Sequence, residues 1–93
     1  MSDAAARYEL RVTGPAERQL GRLPEGTAAA IVEFMLGSLL VNPHRVGGPL
    51  QRDLAGMRSA RRGAYRIVYE IDESGPLVVV HRIDHRSTVY RPR

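Results

Sequence analysis

Nine consecutive residues, RSARRGAYR at 58–66, contain four arginines and lead into an alternating run of Tyr, Ile and Val. A guanidinium group is a planar fork of five N–H donors that matches the oxygens of a phosphate, and it stays protonated in proteins. The cluster therefore predicts a phosphate-binding surface, with ordinary solvated charge as the alternative. Proton transfer at such a surface needs a different side chain. The four residues are Arg58, Arg61, Arg62 and Arg66.

A second group of reactive side chains lies near the end of the sequence, in DHRSTVY at 84–90. His85, Arg86 and Tyr90 come off the end of the last predicted strand, and from there they can fold back beside Arg61 and Arg66. An imidazole has a reference pKa of about 6.5 and can move protons near neutral pH. A phenol has a reference pKa of about 10, so it acts as a base only where nearby positive charge lowers that value.

The whole chain is short and basic. Its 93 residues suffice for one domain, and a formal net charge of +4 with a pI near 10.3 predicts a polyanion or an acidic protein as partner. All 14 basic residues are arginine, which the codon bias of a GC-rich genome explains for most of them. The absence of cysteine and the scatter of the three histidines argue against disulfides and a zinc site. No apolar stretch approaches the roughly 18 residues of a membrane span, so we expect a soluble cytosolic protein.

The elements that position these side chains follow from the periodicity of the sequence. Residues 8–13 alternate apolar and polar side chains, as a half-buried strand does. Pro15 and Pro24 lie where two amphipathic helices begin, and Pro43 ends the second helix. Residues 43–57 contain two prolines and three glycines and are predicted to form a loop. The remaining predicted elements are strands at 58–62, 65–71 and 77–84, with a turn at 72–76.

This order predicts an α+β fold, β-α-α-β-β-β, with a twisted, mostly antiparallel sheet and both N-terminal helices packed on one face. The other face is expected to stay open. In the strand at 65–71 the odd-numbered positions are apolar and should face the helices, so Arg66 lies on the open face. In the last strand Ile83 is predicted as core with Val79 and His81 on its side, while Arg82 points outward. His81 is then a packing histidine rather than a catalytic one.

The chain resembles the RelE/ParE superfamily of bacterial toxin–antitoxin toxins, most closely its RelE branch, over residues 8–91. The motifs that carry this resemblance are LPEGTAAAIVEFM, NPHRVGGPLQRDLAGM, RRGAYRIVYEID and IDHRSTVY, in this order and spacing. The arginine-only usage and the wording EFM and SARRG resemble actinobacterial members.

The resemblance implies one toxin domain over residues 1–93 that cleaves messenger RNA in the ribosomal A site. In such an enzyme the ribose 2′-OH attacks the adjacent phosphate and yields a 2′,3′-cyclic phosphate and a free 5′-OH, with no metal and no cofactor. The implied partners are the ribosome with its mRNA and an acidic, RelB-like antitoxin. We expect the toxin and antitoxin to form a heterotetramer or another oligomer, and the implied phenotype is arrest of translation and growth.

The resemblance also implies roles for individual residues. Arg66 matches the arginine that contacts the scissile phosphate, Arg86 matches a basic residue near the leaving group, and Arg61 matches an arginine of the preceding strand. Tyr90 matches the tyrosine that orients or deprotonates the nucleophile or stacks on a base. Packing of the tail by Tyr90, and solvated rim charge for Arg61 and Arg86, are the alternatives.

The chain departs from well-known RelE toxins where those proteins have two lysines, because residues 57–60 here read MRSA. Arg58 can replace the charge of a lysine but not its proton transfer. His85 could then act as acid or base, with a solvated loop histidine as the alternative. Arg58, Arg62 and Arg82 are expected to contact the RNA backbone without taking part in the chemistry. We expect the open face of the sheet to carry Arg58, Arg61, Arg66 and Arg82.

Two other functions remain open at the level of sequence. The same fold serves ParE-like toxins, which poison DNA gyrase by binding and have no nuclease chemistry of their own. A nucleic-acid-binding module without toxicity is the other alternative, and the scarcity of aromatic residues argues against it.

Overall fold

The computed structural model describes residues 7–89, which form a five-stranded sheet with helices packed on one face. The strands are β1 (Glu9–Val12), β2 (Gly48–Pro49), β3 (Arg58–Arg62), β4 (Tyr65–Asp72) and β5 (Leu77–His85). The helices are α1 (Gly14–Gly21), α2 (Glu25–Leu36), α3 (Ser38–Val41) and α4 (Arg86–Val89), with a 3₁₀ turn at Arg52–Leu54. The predicted α+β fold class is confirmed. Among the described residues, no helix has the length and apolar character needed to cross a membrane.

The strand order is β1-β5-β4-β3-β2, with β1 parallel to β5 and the other neighbours antiparallel. The helices carry the chain from β1 at one edge to β2 at the opposite edge, and the antiparallel run from β2 to β5 then brings the last strand back beside β1, parallel to it. Strand β2, a two-residue edge, was not predicted. It lies in the segment that was expected to be a loop.

The two longer helices begin where the sequence predicted. Thr13 caps α1 by accepting a hydrogen bond from the backbone N–H of Ala16, and Pro15 sits in the first turn. In α2, Ile31 and Met35 turn toward the sheet and are buried. The single long second helix that was predicted is wrong, because α2 ends at Leu36 and Gly37 starts the separate turn α3.

The core lies between these helices and one side of the sheet, called here the helix face. Tyr65, Ile67, Tyr69 and Ile71 all pack on that side, as predicted. The opposite side, called the outer face, carries the intervening positions of β3 and β4. The buried core consists of Ala16, Ile31, Met35, Leu39, Leu40, Ala60, Ile67, Tyr69, Val78, Val80 and Ile83.

A β-bulge in β5 overturns the prediction for that strand. Val68 pairs with Arg82 and Tyr69 pairs with Val80, so His81 is an extra residue that faces no partner of its own in the register. The bulge shifts the alternation by one position between Val80 and Ile83. Val78 and Val80 are therefore the core residues, and the expectation that Val79 and His81 share the inward face of Ile83 is wrong.

The β3–β4 hairpin has a two-residue turn that fixes its register. Arg62 pairs with Tyr65, which leaves only Gly63 and Ala64 in the turn. Gly63 has a φ of 62°, in the left-handed region where a side chain is disfavoured, and tight hairpins commonly place glycine there. This turn brings Arg61 directly opposite Arg66.

Candidate active site on the outer face of the sheet

Arg61 and Arg66 form a like-charged pair on the outer face. They are partners in the β3–β4 register, and in such a pair the Cβ atoms lie about 5 Å apart. Arg66 is half-buried, and its Nη1 donates a hydrogen bond to Ser59 Oγ at 3.3 Å, whereas Arg61 is exposed. Like charges directly opposite each other on neighbouring strands are destabilising, and a bound anion offsets that cost. The pair is therefore suited to hold a phosphate.

A buried carboxylate lies on the other side of Arg66. Asp84 is the partner of Arg66 in β5 and is only 7% exposed. Its Oδ2 accepts from Arg82 Nε at 3.0 Å, and its Oδ1 accepts from Gln19 Nε2 at 3.3 Å. Gln19 also accepts the backbone N–H of Ile83 at 2.9 Å. Helix α1 thus anchors Asp84, and Asp84 orients Arg82.

Arg82 lies on the outer face as predicted, because it pairs with Val68, which alternates with the core residues Ile67 and Tyr69. Its side chain is 46% exposed while that of Asp84 is 8% exposed, so the guanidinium is held at one end and open to solvent. Asp84 and Gln19 were not identified from the sequence. Their spacing of 65 residues gives no local pattern to read.

The bulge places His81 on the outer face as well. His81 Nε2 lies 2.9 Å from Glu70 Oε1, and Glu70 follows the core residue Tyr69 on β4. The two side chains are 31% and 48% exposed. Reasoning from strict alternation missed this histidine, since nothing in the sequence VVVHRID marks the extra residue.

The structure does not bring His85 to the arginine pair. His85 pairs with Tyr65, and their rings meet edge to face at 5.2 Å on the helix face. Its Nδ1 accepts the backbone N–H of Ser87 at 3.2 Å and lies 2.8 Å from Ser87 Oγ, so the imidazole caps the start of α4. A catalytic role for His85 stays a prediction, with this placement against it.

The remaining members of the second group lie at or beyond the end of the described chain. Arg86 begins α4 and is exposed, and its backbone N–H donates to Ala64 O at 2.8 Å, next to the β3–β4 turn. The start of α4 is thus held beside the hairpin that carries the arginines. Tyr90 lies outside the described residues.

Arg58 and Arg62 lie on the helix face, because they alternate with Ser59 and Arg61. Placing Arg58 on the open face was wrong. Its Nη2 donates to His44 O at 2.7 Å and to Gly47 O at 2.8 Å, which ties β3 to the loop after α3. Arg62 is exposed and borders a shallow depression between α2 and the β3–β4 turn. Neither side chain shares a face with Arg66.

The same loop is held by a buried tyrosine. Tyr69 is fully buried, and its hydroxyl donates to Pro43 O at 2.6 Å. Burial raises the pKa of the Tyr69 hydroxyl, and the neighbouring Arg58 guanidinium offsets part of that rise. Gly47 is required here, since a Cβ would come within 2.5 Å of Tyr69 Oη. Arg58 and Tyr69 therefore serve the architecture of the loop.

A metal site does not emerge from the part of the chain between residues 7 and 89. No group of three or more His, Asp or Glu side chains is arranged there to hold a metal ion. The outer face instead presents guanidinium groups, one buried carboxylate and one imidazole. Such a set can bind an anion and move a proton.

Three comparisons relate the chain to known proteins. The family model described as "ParE toxin of type II toxin-antitoxin system, parDE" matches residues 10–90. Toxin RelE and Toxin RelG of Mycobacterium tuberculosis are 54% and 51% identical over 84 residues, covering 90% of this chain and 87% and 97% of those proteins. One chain in the crystal structure of the toxin–antitoxin complex RelBE2 from that organism matches with a TM-score of 0.85 and 50% identity, covering 88% of this chain and 94% of that one. The organism is actinobacterial, in agreement with the motif wording.

Proposed function

The chain belongs to the RelE/ParE superfamily of type II toxin–antitoxin toxins, and on this premise we propose that it is a ribosome-dependent endoribonuclease that cuts mRNA in the A site. Cleavage of translating messages in the cytoplasm then arrests translation and growth. The observation that carries the proposal is the register pair Arg61–Arg66 on the outer face.

The proposed chemistry is attack of a ribose 2′-OH on the adjacent phosphate, without a metal. Negative charge concentrates on the phosphorane, and guanidinium groups held in place before the reaction stabilise that charge where it develops. Arg66 lies on the central strand of the three that carry these arginines, and its side chain donates to Ser59 Oγ. Arg61 and Arg82 flank it on the neighbouring strands. The products are a 2′,3′-cyclic phosphate and a free 5′-OH.

The end of the chain completes the proposed site. Arg86 would neutralise charge at the leaving group, and Tyr90 would orient the nucleophile or stack on a base. The anchoring of Arg86 N–H on Ala64 O supports this arrangement, because it starts the C-terminal segment next to the hairpin of Arg61 and Arg66. Arg62 remains a candidate contact for RNA outside the site. We assign Arg58 to the architecture of the loop instead.

The proposed partner that controls the toxin is an acidic, RelB-like antitoxin, in a heterotetramer or another oligomer. Support comes from the net charge of +4 and from the similarity to a chain of a toxin–antitoxin complex. Electrostatic attraction should make association faster at low salt. Titration of the antitoxin into a toxin–ribosome mixture should stop mRNA cleavage at one equivalent, and full-rate cleavage with every toxin bound would refute control by occlusion of the site.

Poisoning of DNA gyrase is the second candidate function, and the match to the ParE toxin family favours it. One experiment separates the two: induce the chain in cells and map the 5′ ends of messages with and without a block of translation. Cuts within codons that disappear when translation is blocked support the nuclease. Intact messages together with trapped gyrase–DNA complexes support the gyrase poison and rule out the nuclease.

A further inference from the structure

The proposed nuclease needs a group that removes the proton of the 2′-OH, and the arginines of the outer face cannot supply it. Two described histidines are paired with a glutamate. His81 is paired with Glu70 on the outer face, and His44, in the loop after α3, is paired with Glu73 in the turn between β4 and β5. Both pairs join an imidazole Nε2 to a glutamate oxygen but lie in different parts of the fold, which makes one a control for the other.

The first pair lies on the same face of the sheet as the arginine site. Arg66 Nη1 reaches Ser59 Oγ, and Ser59 pairs with Val68, so the guanidinium extends toward the Val68 row of the sheet. Glu70 is two residues further along β4, a rise of about 7 Å, and His81 contacts it from β5. A base must come within about 3 Å of the 2′-oxygen, which itself approaches phosphorus to about 3 Å. The imidazole therefore lies on the outer face in the direction along β4 in which the Arg66 side chain extends.

The hydrogen bond to Glu70 also selects the reactive nitrogen. A carboxylate is only an acceptor, so the Nε2 of His81 carries the hydrogen and donates it to Glu70 Oε1. This leaves Nδ1 as the nitrogen that can take a proton. A carboxylate in this position fixes the tautomer and orientation of the ring, as it does in hydrolase triads.

The backbone of His81 is fixed as well. Thr13 Oγ1 donates to His81 O at 3.2 Å, and the Thr13 N–H donates to Val80 O at 3.0 Å. The cap of α1 therefore holds the bulge in place. The charged groups that share this part of the outer face are Glu70 on β4, Arg82 on β5, Arg11 on β1 and, further along β4, Arg66.

We propose that His81 is the general base of the cleavage reaction and that Glu70 is its positioning residue, an inference that rests on the proposed ribonuclease function. Nδ1 of His81 takes the proton of the 2′-OH while the 2′-oxygen forms a bond to phosphorus. The bond from phosphorus to the 5′-oxygen breaks, and that oxygen takes a proton from water. The resulting imidazolium then returns its proton to water, which balances the reaction.

The test is single-turnover cleavage of mRNA on ribosomes saturated with purified toxin. His81→Gln should lower the rate about 100-fold or more, the usual contribution of a general base, with ribosome binding unchanged. Added imidazole should restore part of the rate to His81→Ala. Glu70→Ala should lower the rate about 10-fold at unchanged binding, and Glu70→Gln, which keeps an acceptor oxygen, should recover most of it.

The matched control is His44→Gln, which removes the other paired histidine and should leave cleavage within about twofold of wild type. Wild-type rates for His81→Gln and Glu70→Ala would overturn the inference while the proposed function stands. Equal losses in the two histidine variants, without rescue by imidazole, would also overturn it, since the effect would then be structural. A wild-type protein that does not cleave would overturn the proposed function together with the inference.

Discussion

Strand β3 carries an arginine on each of its two faces, and the two arginines have different roles. On the helix face, Arg58 donates to two backbone carbonyls and ties the strand to the loop after α3. On the outer face, Arg61 is exposed and lies opposite Arg66 in the register. Strand alternation places Arg58 and Arg61 on opposite faces, so two members of one cluster differ in environment.

The number of charged residues in a segment is therefore a weak guide to a binding site, whereas their positions in the strand register are a strong guide. A guanidinium whose donors are already satisfied by carbonyls has little left to offer a phosphate. A like-charged pair has the opposite property, because an anion relieves its repulsion. The turn at Gly63 is what produces the pair, by fixing Arg61 against Arg66.

Removal of Arg66 should produce the largest effect on function. Arg66→Ala is expected to lower mRNA cleavage at least 100-fold and to abolish growth arrest, because the phosphorane loses the guanidinium proposed to contact the scissile phosphate. The fold should remain, since Arg66 lies outside the buried core. Cleavage on ribosomes and colony counts after induction measure the effect, with thermal unfolding as the check on folding.

Arg61→Ala sharpens the same prediction, because it removes the exposed member of the pair and leaves the hydrogen bond from Arg66 to Ser59 intact. Its loss of activity should be smaller than that of Arg66→Ala. A folded Arg66→Ala variant that still arrests growth at the wild-type level would show that the register pair is not the active site.

Arg58→Ala should show the reverse pattern, with loss of stability instead of chemistry. Two carbonyls of the loop would lose a charged donor, which costs about 2 kcal/mol and lowers Tm by roughly 10 °C in a domain of this size. Urea unfolding and thermal melts measure the change, and cleavage is compared below both melting points. Normal stability with lost cleavage would place Arg58 in the site, and it would contradict the assignment of a structural role to the helix-face arginine and a functional role to those on the outer face.

The fold was largely predictable because its elements are marked by local signals. Pro15 and Pro24 mark helix starts, and the alternation in 65–71 marks a strand with a helix face. Two of the failures share a cause, since each depends on a residue that interrupts a period. Gly37 divides the second helix, and the bulge at His81 inverts the faces of β5.

The site was predictable only where alternation continues without interruption. Arg61, Arg66 and Arg82 could be placed on the outer face, because β3 and β4 are regular and Arg82 lies beyond the bulge. Asp84 with its partner Gln19, and His81 with Glu70, depend on contacts between distant segments. No local pattern in the sequence encodes such contacts.

His85→Gln tests the other histidine near the hairpin, and the expected effect is small. Its ring packs against Tyr65 on the helix face and caps α4, so it is turned away from the arginine pair. Cleavage should stay within about threefold of wild type, because only the start of α4 is loosened. A loss comparable to that of His81→Gln would return His85 to the catalytic machinery, and a loss of ribosome affinity alone would make it an RNA contact.

The smallest expected effect is on the stability of the fold at acid pH. It concerns the pair His44–Glu73, whose histidine is the control for His81. Hydrogen bonds from His44 and then Tyr8 hold the pKa of Glu73 below its usual value of 4.5. A carboxylate with a lowered pKa stabilises the folded state above that value, and the contribution disappears as pH falls through the folded pKa. The side chain is exposed, so solvent screens the interaction.

Glu73→Gln should therefore be slightly less stable than wild type at pH 6, and the difference should shrink steadily as the pH is lowered below 4.5. Urea unfolding at several pH values measures it, with Glu33→Gln on the exposed side of α2 as the control for loss of a surface carboxylate. A stability difference that persists unchanged at pH 3 would mean that Glu73 acts through packing and not through its charge. Cleavage by Glu73→Gln should equal that of wild type, since this pair lies at the far end of the sheet from Arg66, and a loss of cleavage would show that the two His–Glu pairs are not chemically separated by their location.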